Sequence, residues 1–375
     1  MTTTSIPTNI DDPINARILA ISEDKIQGFC RHPLLEIANQ AGLDLQIVIG
    51  RIGAMLEAGT IRRVRQTLMT TSLAPGALVA WQVPKENLDL AFDSMFHQDP
   101  FTGHVVIRST DRQTAGSEYR LWTTLKVPVG YSMKKHCDRL AATTGAQKYK
   151  LLPAKKLFAL GVGHVRRRDL MPGVRTNEPA RVTDVTITDL SDAQWCVIMA
   201  LKQEFGADEL SEDLWLPRAR DAGITIEQFI DIATELNQRG VIGRFSTFLE
   251  HYKKLKDGTT VTKYNALFHW SVPPGKEMAA GMEVGRHPVM THAYWREAGE
   301  EFNNVNIMGV AHSTDRNWLL AHKSAIDQHL EEAGIEVSYT NVFWGGRSEI
   351  KPSEISPIAY RQWCQRIGVD PESMR

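Results

Sequence analysis

Two short patterns in this chain of 375 residues each pair an imidazole with a guanidinium. His104 stands four residues before Arg108, and His292 stands four residues before Arg296. Arginine keeps its charge and binds carboxylates through two parallel N–H bonds. Histidine has an unperturbed pKa of about 6.5 and can supply a proton at neutral pH. These residue types predict binding and protonation of a ligand that carries carboxylates.

The spacing of these patterns indicates a tandem duplication. A Trp-x-Val-Pro motif begins at Trp81 and again at Trp270, 189 residues later, and the two His-x-x-x-Arg patterns lie 188 residues apart. A nearly constant offset across two motifs is typical of a repeated unit. Both tryptophans are expected in the cores of the two copies.

Each copy contains an α/β domain that must position its His–Arg pair. We predict the order βαββαβ for residues 76–164 and again for residues 262–345. This is a ferredoxin-like plan, in which helices cover one face of an antiparallel sheet. Residues 165–190 lack apolar periodicity and are interpreted as a linker. Residues 346–375 are interpreted as a C-terminal tail that ends in a short helix around Tyr360–Arg366.

Strand periodicity places both His–Arg pairs on the open face of a sheet. Side chains alternate between the two faces of a strand, so His104 and Arg108 share a face, whereas Val105 and Ile107 are expected to pack under the helices. The second copy alternates in the same way, with Tyr294 between its histidine and arginine. Two such faces opposed would enclose a cavity with two imidazoles and two guanidiniums, which suits a porphyrin-like ring that carries carboxylates.

A pattern typical of a winged helix-turn-helix precedes each α/β domain. The two modules are predicted for residues 15–70 and 191–250, with extended wings at residues 60–68 and 241–248. Glycines are expected in the turn and at the end of the second helix of each module. They are Gly42 and Gly59 in the first copy and Gly223 and Gly240 in the second. The complete fold is an α+β tandem duplication of winged helix-turn-helix and ferredoxin-like units.

The composition is that of an ordinary globular protein, with 42% hydrophobic and 23% charged residues and a formal net charge of −1. A dedicated DNA-binding protein usually carries a basic excess. The four cysteines form no CxxC pair, which favours reduced, buried thiols. No apolar stretch approaches the roughly 20 residues of a membrane span, and residues 1–12 lack a signal pattern. We therefore expect a cytoplasmic protein with no membrane partner.

The combined plan resembles the Lrp/AsnC-like family, and its details are similar to the sirohaem decarboxylases, here in a fused two-repeat form. The resemblance covers about residues 15–345. It rests on the wing start GTIRRV, the strand ends WQVP and WSVP, the two His-x-x-x-Arg strands, and the segments YRLWTTL and LLPAKKLFALGV. The chain departs from the family where Val105 and Val106 replace a tyrosine-containing pattern, where residues 109–117 lengthen a hairpin, and where residues 251–263 add a basic stretch.

The resemblance implies a carboxy-lyase that removes CO2 from two acetate side chains of sirohaem in specialised haem biosynthesis. The carbon left behind must be protonated, and we expect His104 or His292 to be the general acid, with Arg108 and Arg296 holding carboxylates. Alternatively, one of the two histidines contacts the iron. Expected pocket-lining residues are Tyr119, Trp122 and Tyr294. No metal or cofactor is expected beyond the iron tetrapyrrole ligand itself, sirohaem or haem.

Three other functions are left open by the sequence. The first is an Lrp/AsnC-type transcriptional regulator. Its second recognition helix would carry Glu227, Asp231 and Glu235, which phosphates repel, and its first offers only Gln46 and Arg51. Nucleic acid is therefore disfavoured as a partner. The second function is a haem or tetrapyrrole carrier or sensor, and the third is decarboxylation of another tetrapyrrole. The two halves could complete each other within one chain, or chains could pair as a homo-oligomer.

Several of these features also have purely structural interpretations. A strand histidine near an arginine is often a surface pair. The basic runs at residues 166–168 and 253–256 are typical of a solvated surface. His164 is a further candidate without an assigned role.

Overall fold

The computed structural model describes residues 6–69, 72–160, 170–184, 187–249 and 263–375. The chain forms two compact units, one within residues 1–73 and 188–253 and the other within residues 74–187 and 254–375. Each unit combines the two copies of one kind of domain. The sequence predicted four separate domains along the chain, whereas the structure joins both winged modules into one unit and both ferredoxin-like domains into the other.

The secondary structure follows the predicted order. The α-helices are α1 Pro13–Ser22, α2 Pro33–Ala41, α3 Leu45–Glu57, α4 Leu88–His97, α5 Met133–Thr144, α6 Asp192–Lys202, α7 Leu216–Asp221, α8 Ile226–Gln238, α9 Glu277–Gly285, α10 Arg316–Glu332 and α11 Pro357–Arg366. The strands are β1 Ile61–Leu68, β2 Gly76–Gln82, β3 Thr102–Ser109, β4 Leu121–Lys126, β5 Lys148–Pro153, β6 Lys156–Leu160, β7 Thr183–Asp184, β8 Ile242–Leu249, β9 Tyr264–Ser271, β10 Met290–Trp295, β11 Ile307–Ser313 and β12 Tyr339–Ile350. Within the described ranges, no helix combines the length and apolar character needed to cross a membrane.

The first unit contains the two helix-turn-helix modules, α1–α3 with β1 and α6–α8 with β8. The four predicted glycines have φ angles between 60° and 72°, which confirms their places at turns and helix ends. The wings β1 and β8 pair with each other in antiparallel register, with Val64 opposite Thr247. The two wings are therefore one shared sheet, which the sequence pattern did not indicate.

The second unit contains both ferredoxin-like domains. Their strand orders are β5-β2-β4-β3 and β12-β9-β11-β10, and all the pairs are antiparallel. In each copy, the chain continues from the fourth strand and pairs with the edge strand of the other copy. β12 continues past Gly345 to pair with β3, and β6, which follows β5, pairs with β10. Both edges of the two sheets are thereby joined.

The apolar side chains of the second unit form three clusters. One packs under α4 and α5 and contains Trp81, and another packs under α9 and α10 and contains Trp270. Both tryptophans are fully buried, which confirms their predicted core positions. The third cluster, called here the central cluster, includes Trp122, Phe302 and Phe343. The central cluster combines residues from both copies, because both open sheet faces contribute to it.

The predicted C-terminal tail is wrong as a separate segment. Strand β12 runs on to Ile350, and helix α11 begins at Pro357 and packs Trp363 into the α4–α5 core. The predicted boundary at Gly345 lies within β12, where the strand passes from its pairing with β9 to its pairing with β3. A Cβ atom at Gly345 would lie 3.1 Å from the Cβ of Asn265, so this glycine permits close approach between strands.

The predicted linker is also partly wrong. Residues 170–184 pack against the second ferredoxin-like domain, where β7 pairs with β6 and Trp318 Nε1 donates to the carbonyl of Leu170 at 3.0 Å. His164, residues 166–168 and the basic run at 253–256 lie outside the described residues.

A buried polar group anchors α11 to the first ferredoxin-like domain. His136 Nε2 lies 3.3 Å from Asp99 Oδ2, and its Nδ1 lies 2.9 Å from the hydroxyl of Tyr360. Thr102 donates to the same Asp99 carboxylate at 2.6 Å. Burial alone would raise the pKa of Asp99, but the charge of His136 and these hydrogen bonds lower it below its ordinary value.

We predict that Asp99→Asn lowers the free energy of unfolding at neutral pH by about 3–5 kcal/mol, because it leaves a buried partner uncompensated. Since the folded pKa of Asp99 is lowered, its contribution is present above the unfolded value of about 3.9 and is lost as the pH falls through the lower folded value. Urea denaturation followed by circular dichroism should show the two proteins converging in acid. Asp89→Asn, at an exposed position, should change stability by less than about 1 kcal/mol. Equal stability of wild type and Asp99→Asn at pH 7 would contradict the assignment.

Candidate functional site

A β-bulge precedes the candidate histidine in each copy. The register between β3 and β4 shifts between Thr102 and His104, and the register between β10 and β11 shifts between Met290 and His292. A bulge inserts one extra residue and turns the following side chains. The two histidines therefore occupy equivalent positions in the duplicated fold, as their sequence offset predicted.

Both His–Arg pairs face the space between the two sheets. Val105 packs in the core under α4 and α5, and Ile107 packs against it, whereas Val106 belongs to the central cluster. In the second copy, Ala293 packs in the core under α9 and α10, with Trp295 against it. The alternation confirms the predicted faces and directs the histidines and arginines inward.

Arg108 is a buried cation held by neutral groups. It is 4% exposed, and its Nη1 donates to Asn265 Oδ1 at 3.0 Å and to the carbonyl of Phe343 at 3.2 Å. Among the described residues, its Nε has no hydrogen-bond partner and no carboxylate forms an ion pair with it. Burial lowers the pKa of Arg108 to about 9. Because burying an unpaired charge is costly, this site favours an anionic ligand.

Arg296 is the second buried guanidinium. It is 8% exposed, donates to the carbonyl of Leu152, and lies with its Cζ 4.3 Å from the ring centre of Tyr294. Its Nε also lacks a partner among the described residues. Burial lowers the pKa of Arg296 to about 10. Both copies therefore present a charge that no carboxylate of the described residues neutralises.

His104 is held neutral at physiological pH. Its Nε2 lies 2.8 Å from Ser348 Oγ on β12. Burial, together with the charges of Arg108 and His292, lowers the pKa of His104 to about 3. The influence of His292 means that the two copies share one electrostatic environment here. The structure thus brings together three of the four residues that the sequence selected as catalytic or carboxylate-binding.

A chain of hydrogen bonds connects Arg108 to His292. The amide of Asn265 accepts from Arg108, and its Nδ2 lies 3.0 Å from His312 Nε2. Thr291 Oγ1 lies 3.4 Å from Nδ1 of His312 and 3.1 Å from Nδ1 of His292.

The hydroxyl of Thr291 fixes the tautomers in this chain. It donates its only proton to the carbonyl of Val310 at 2.9 Å, so its lone pairs accept from both imidazoles. His312 and His292 are therefore protonated at Nδ1. Sequence reasoning missed Asn265, Thr291 and His312. The period-2 pattern of β9 could have indicated Asn265, because it places a polar residue on the inward face.

His269 is a further buried histidine that the sequence reasoning missed. It lies among Trp122, Phe302 and Phe343, with a ring-centre distance of 4.8 Å to Phe343. Burial, together with the charge of Arg108, lowers the pKa of His269 to about 3. Its Nε2 has no partner among the described residues. The signal was present in the motif Phe-His-Trp-Ser-Val-Pro, where alternation with the buried Trp270 directs His269 inward.

The three predicted pocket-lining residues have different environments. Trp122 is fully buried and donates from Nε1 to the carbonyl of Tyr119 at 2.6 Å. Tyr294 lies between His292 and Arg296. Its ring is nearly parallel to that of His292, with the ring centres 6.1 Å apart. Tyr119 donates to Glu301 at 3.1 Å.

Tyr119 also lines a cavity of about 280 Å³. This volume is slightly below the roughly 300–1,000 Å³ of pockets for drug-sized ligands. A cavity of about 180 Å³ lies in the first unit beside Trp215. Neither cavity is lined by His104 or His292, so the ring-sized cavity between the His–Arg pairs stays a prediction.

Comparisons with known proteins give consistent similarities. Residues 73–159 match the family model described as "AsnC-like ligand binding domain". The chain is 24% identical over 299 residues to "Siroheme decarboxylase" of Hydrogenobacter thermophilus, covering 79% of this chain and 82% of that protein. It is 29% identical over 131 residues to "Siroheme decarboxylase alpha subunit" of Desulfovibrio desulfuricans, covering 35% of this chain and 70% of that subunit.

Two solved structures share the fold. The crystal structure of the siroheme decarboxylase NirDL superposes with a TM-score of 0.68 at 19% identity, covering 94% of this chain and 98% of the other. The same enzyme in complex with an iron-uroporphyrin III analogue superposes with a TM-score of 0.67 at 17% identity, covering 94% and 99%. The α+β plan of duplicated units predicted from the sequence is confirmed.

We predict that His104 stays neutral in the ligand-free protein from pH 8 down to about pH 5, because its pKa is lowered to about 3. Nitrogen-15 NMR of the imidazoles, with His104→Gln for assignment, should show no titration of His104 in this range. A His104 midpoint near 6.5 would show that the site is hydrated and not buried.

Proposed function

We propose that this chain is a sirohaem decarboxylase, a carboxy-lyase that removes CO2 from acetate side chains of the tetrapyrrole. The observation that carries the proposal is the presence of two buried guanidiniums without a described carboxylate partner, each four residues after an inward-facing histidine. The similarity to siroheme decarboxylases over most of the chain supports the same reaction.

In this proposal Arg108 and Arg296 bind carboxylates of the ring. Each has an unpartnered Nε and lies in a buried environment where a charge-assisted hydrogen bond is stronger than in water. A bound carboxylate neutralises the buried cation, so part of the binding free energy comes from relief of that uncompensated charge. The binding of the iron-uroporphyrin III analogue by a solved relative of the same fold is consistent with a ligand of this class.

The reaction transfers no electrons to or from an external partner. The bond between the methylene carbon and the carboxylate breaks, CO2 leaves, and the electron pair stays on the methylene carbon. A proton from the protein then converts this carbon into a methyl group. Each acetate therefore consumes one proton, and the site must be able to replace it.

His292 is the better proton donor of the two histidines. Thr291 Oγ1 accepts from its Nδ1 whether the ring is neutral or charged, so protonation at Nε2 breaks no contact with Thr291. The lowered pKa of His104 makes that residue a poor donor until carboxylates of the substrate raise its pKa. In the proposal the neutral imidazole of His104 contacts the iron or orients the ring.

Features of the first unit support an enzyme over a DNA-binding regulator. Arg51 of α3 is engaged with Asp12 at 3.1 Å, and Arg63 of the first wing lies 3.2 Å from Glu204. These arginines are therefore already paired with carboxylates and compete poorly for phosphates.

The location and assembly of the protein are part of the proposal. The free thiols of Cys30, Cys137, Cys196 and Cys364 support a cytoplasmic location. Because the edges of both ferredoxin-like sheets are joined within one chain, a single chain can form the site without a partner subunit. A homo-oligomer is compatible with this arrangement but is not required by it.

We predict that anaerobic incubation with sirohaem gives a product lighter by two CO2, measured by mass spectrometry of the pigment. Arg108→Gln and Arg296→Gln should each weaken sirohaem binding by roughly 10–100-fold, because a charge-assisted hydrogen bond contributes about 1.5–3 kcal/mol. Arg112→Gln, at an exposed position of the 109–117 hairpin, is the matched control and should bind as the wild type does. A bound pigment of unchanged mass would indicate a carrier, a sensor or another tetrapyrrole substrate. Absence of binding would favour the regulator.

We predict that Thr291→Val lowers kcat and shifts the alkaline limb of the pH–rate profile, on which His292 loses its proton, to lower pH, whereas Thr291→Ser keeps both close to wild type. Loss of the hydroxyl removes an acceptor for the Nδ1 proton of His292 and so disfavours its charged form. A purely structural role would lower stability in both variants without moving the pH profile. His104→Ala should instead change the visible absorption of the bound iron tetrapyrrole. If that substitution removes proton transfer and leaves absorption unchanged, the two histidine roles are reversed.

A further inference from the structure

We propose a site for a divalent metal of the zinc type in the second ferredoxin-like domain, formed by Glu283, His287 and His329. One ligand atom of each residue lies within 4.8 Å of those of the other two. The residues belong to the helix side of the sheet, opposite the face that carries His292. Nothing in the proposed decarboxylation uses them.

The local structure places the three side chains together. Glu283 is in the last turn of α9, and His287 lies two residues beyond the end of that helix, with its Nδ1 3.0 Å from the carbonyl of Glu283. His329 comes from the last turn of α10. His287 Nε2 lies 2.8 Å from His329 Nδ1, and the two rings are nearly parallel with centres 5.1 Å apart. Two imidazole nitrogens therefore converge beside a carboxylate.

His287 is already oriented as a metal ligand. It is 1% exposed, and its Nδ1 donates to the carbonyl of Glu283 at 3.0 Å, so the lone pair of the neutral ring is at Nε2. A backbone carbonyl that fixes the tautomer in this way is the usual partner of a metal-binding histidine. His329 is half-buried, which gives an ion access from solvent.

The Glu283 carboxylate is ionised and held in place. Arg175 Nη1 donates to one of its oxygens at 2.5 Å, and Arg286 Nη1 donates to the other at 2.8 Å. A carboxylate has about four lone-pair sites, so an oxygen can also bind a metal. Hydrogen bonds to the carboxylate are common around such ligands. Two nitrogens and one oxygen, with water in a fourth position, are a ligand set that zinc accepts.

Three segments of the domain meet at this position, and a metal would join the first two of them to each other. Two are the helices α9 and α10. The third is the stretch around Arg175, where Thr176 N donates to the carbonyl of Arg286 at 2.9 Å and Arg175 Nη2 lies 3.8 Å from Glu332. Binding energy at such a site contributes directly to stability, because the unfolded chain does not hold the ligands together.

The test is calorimetric titration of the metal-free, full-length protein with Zn2+ in the absence of any tetrapyrrole, combined with thermal unfolding. We expect one Zn2+ per chain and a rise in Tm. His329→Gln, at a half-buried position, should lower the affinity at least tenfold and abolish the rise in Tm. Co2+ should give the visible absorption of a site with nitrogen ligands in the wild type and lose it in this variant.

His322→Gln is the matched control, because His322 lies on the same helix and its Nε2 is 3.0 Å from the carbonyl of Leu170, away from the metal ligands. This variant should keep the wild-type stoichiometry and affinity. Two results would overturn the proposal. One is equal Zn2+ binding by the wild type and His329→Gln, and the other is absence of binding in the wild type at about a hundredfold excess of Zn2+. Neither outcome depends on decarboxylase activity, so failure here leaves the proposed function unaffected.

Discussion

The exchange of edge strands between the two ferredoxin-like copies is the constraint on which the second unit depends. An antiparallel sheet with an open edge exposes unpaired N–H and C=O groups, and here β12 and β6 satisfy the edges of the opposite copy. Joining the sheets at both edges fixes their open faces toward each other. The central cluster, the two arginines and the candidate histidines all lie inward as a consequence.

The inward face combines apolar packing with charges that the protein leaves partly uncompensated. Trp122, Phe302 and Phe343 exclude water there, which lowers the pKa of His269 and of Arg108 by burial. An arrangement that costs free energy in the empty protein is typical of functional sites, where a ligand supplies the missing charge. The low exposure of both arginines therefore supports the proposed carboxylate binding more firmly than their sequence spacing does.

The two copies have diverged at the site. In the second copy Asn265 lies opposite His312 in the register of β9 and β11, and Thr291 occupies the bulge. The corresponding register of the first copy places Gly76 opposite Lys126. The first copy therefore lacks the chain of hydrogen bonds that fixes the tautomer of His292. A duplicated pair of motifs does not imply two equal roles, and this asymmetry underlies the different functions proposed for His104 and His292.

The sequence by itself determined the duplication, the order of elements and the faces of the strands, because period-2 alternation, turn glycines and motif spacing are local properties. It did not reveal that the wings pair with each other, that residues 346–375 complete the first ferredoxin-like domain, or that residues 170–184 pack on the second. It selected His104, His292 and the two arginines, but it missed Asn265, Thr291, His312 and His269. Those residues come from strands that are distant in the chain, and their partners, burial and protonation states exist only once the sheets face each other. Tertiary structure alone decided which polar groups meet, because hydrogen bonding and desolvation depend on neighbours in space and not on spacing in sequence.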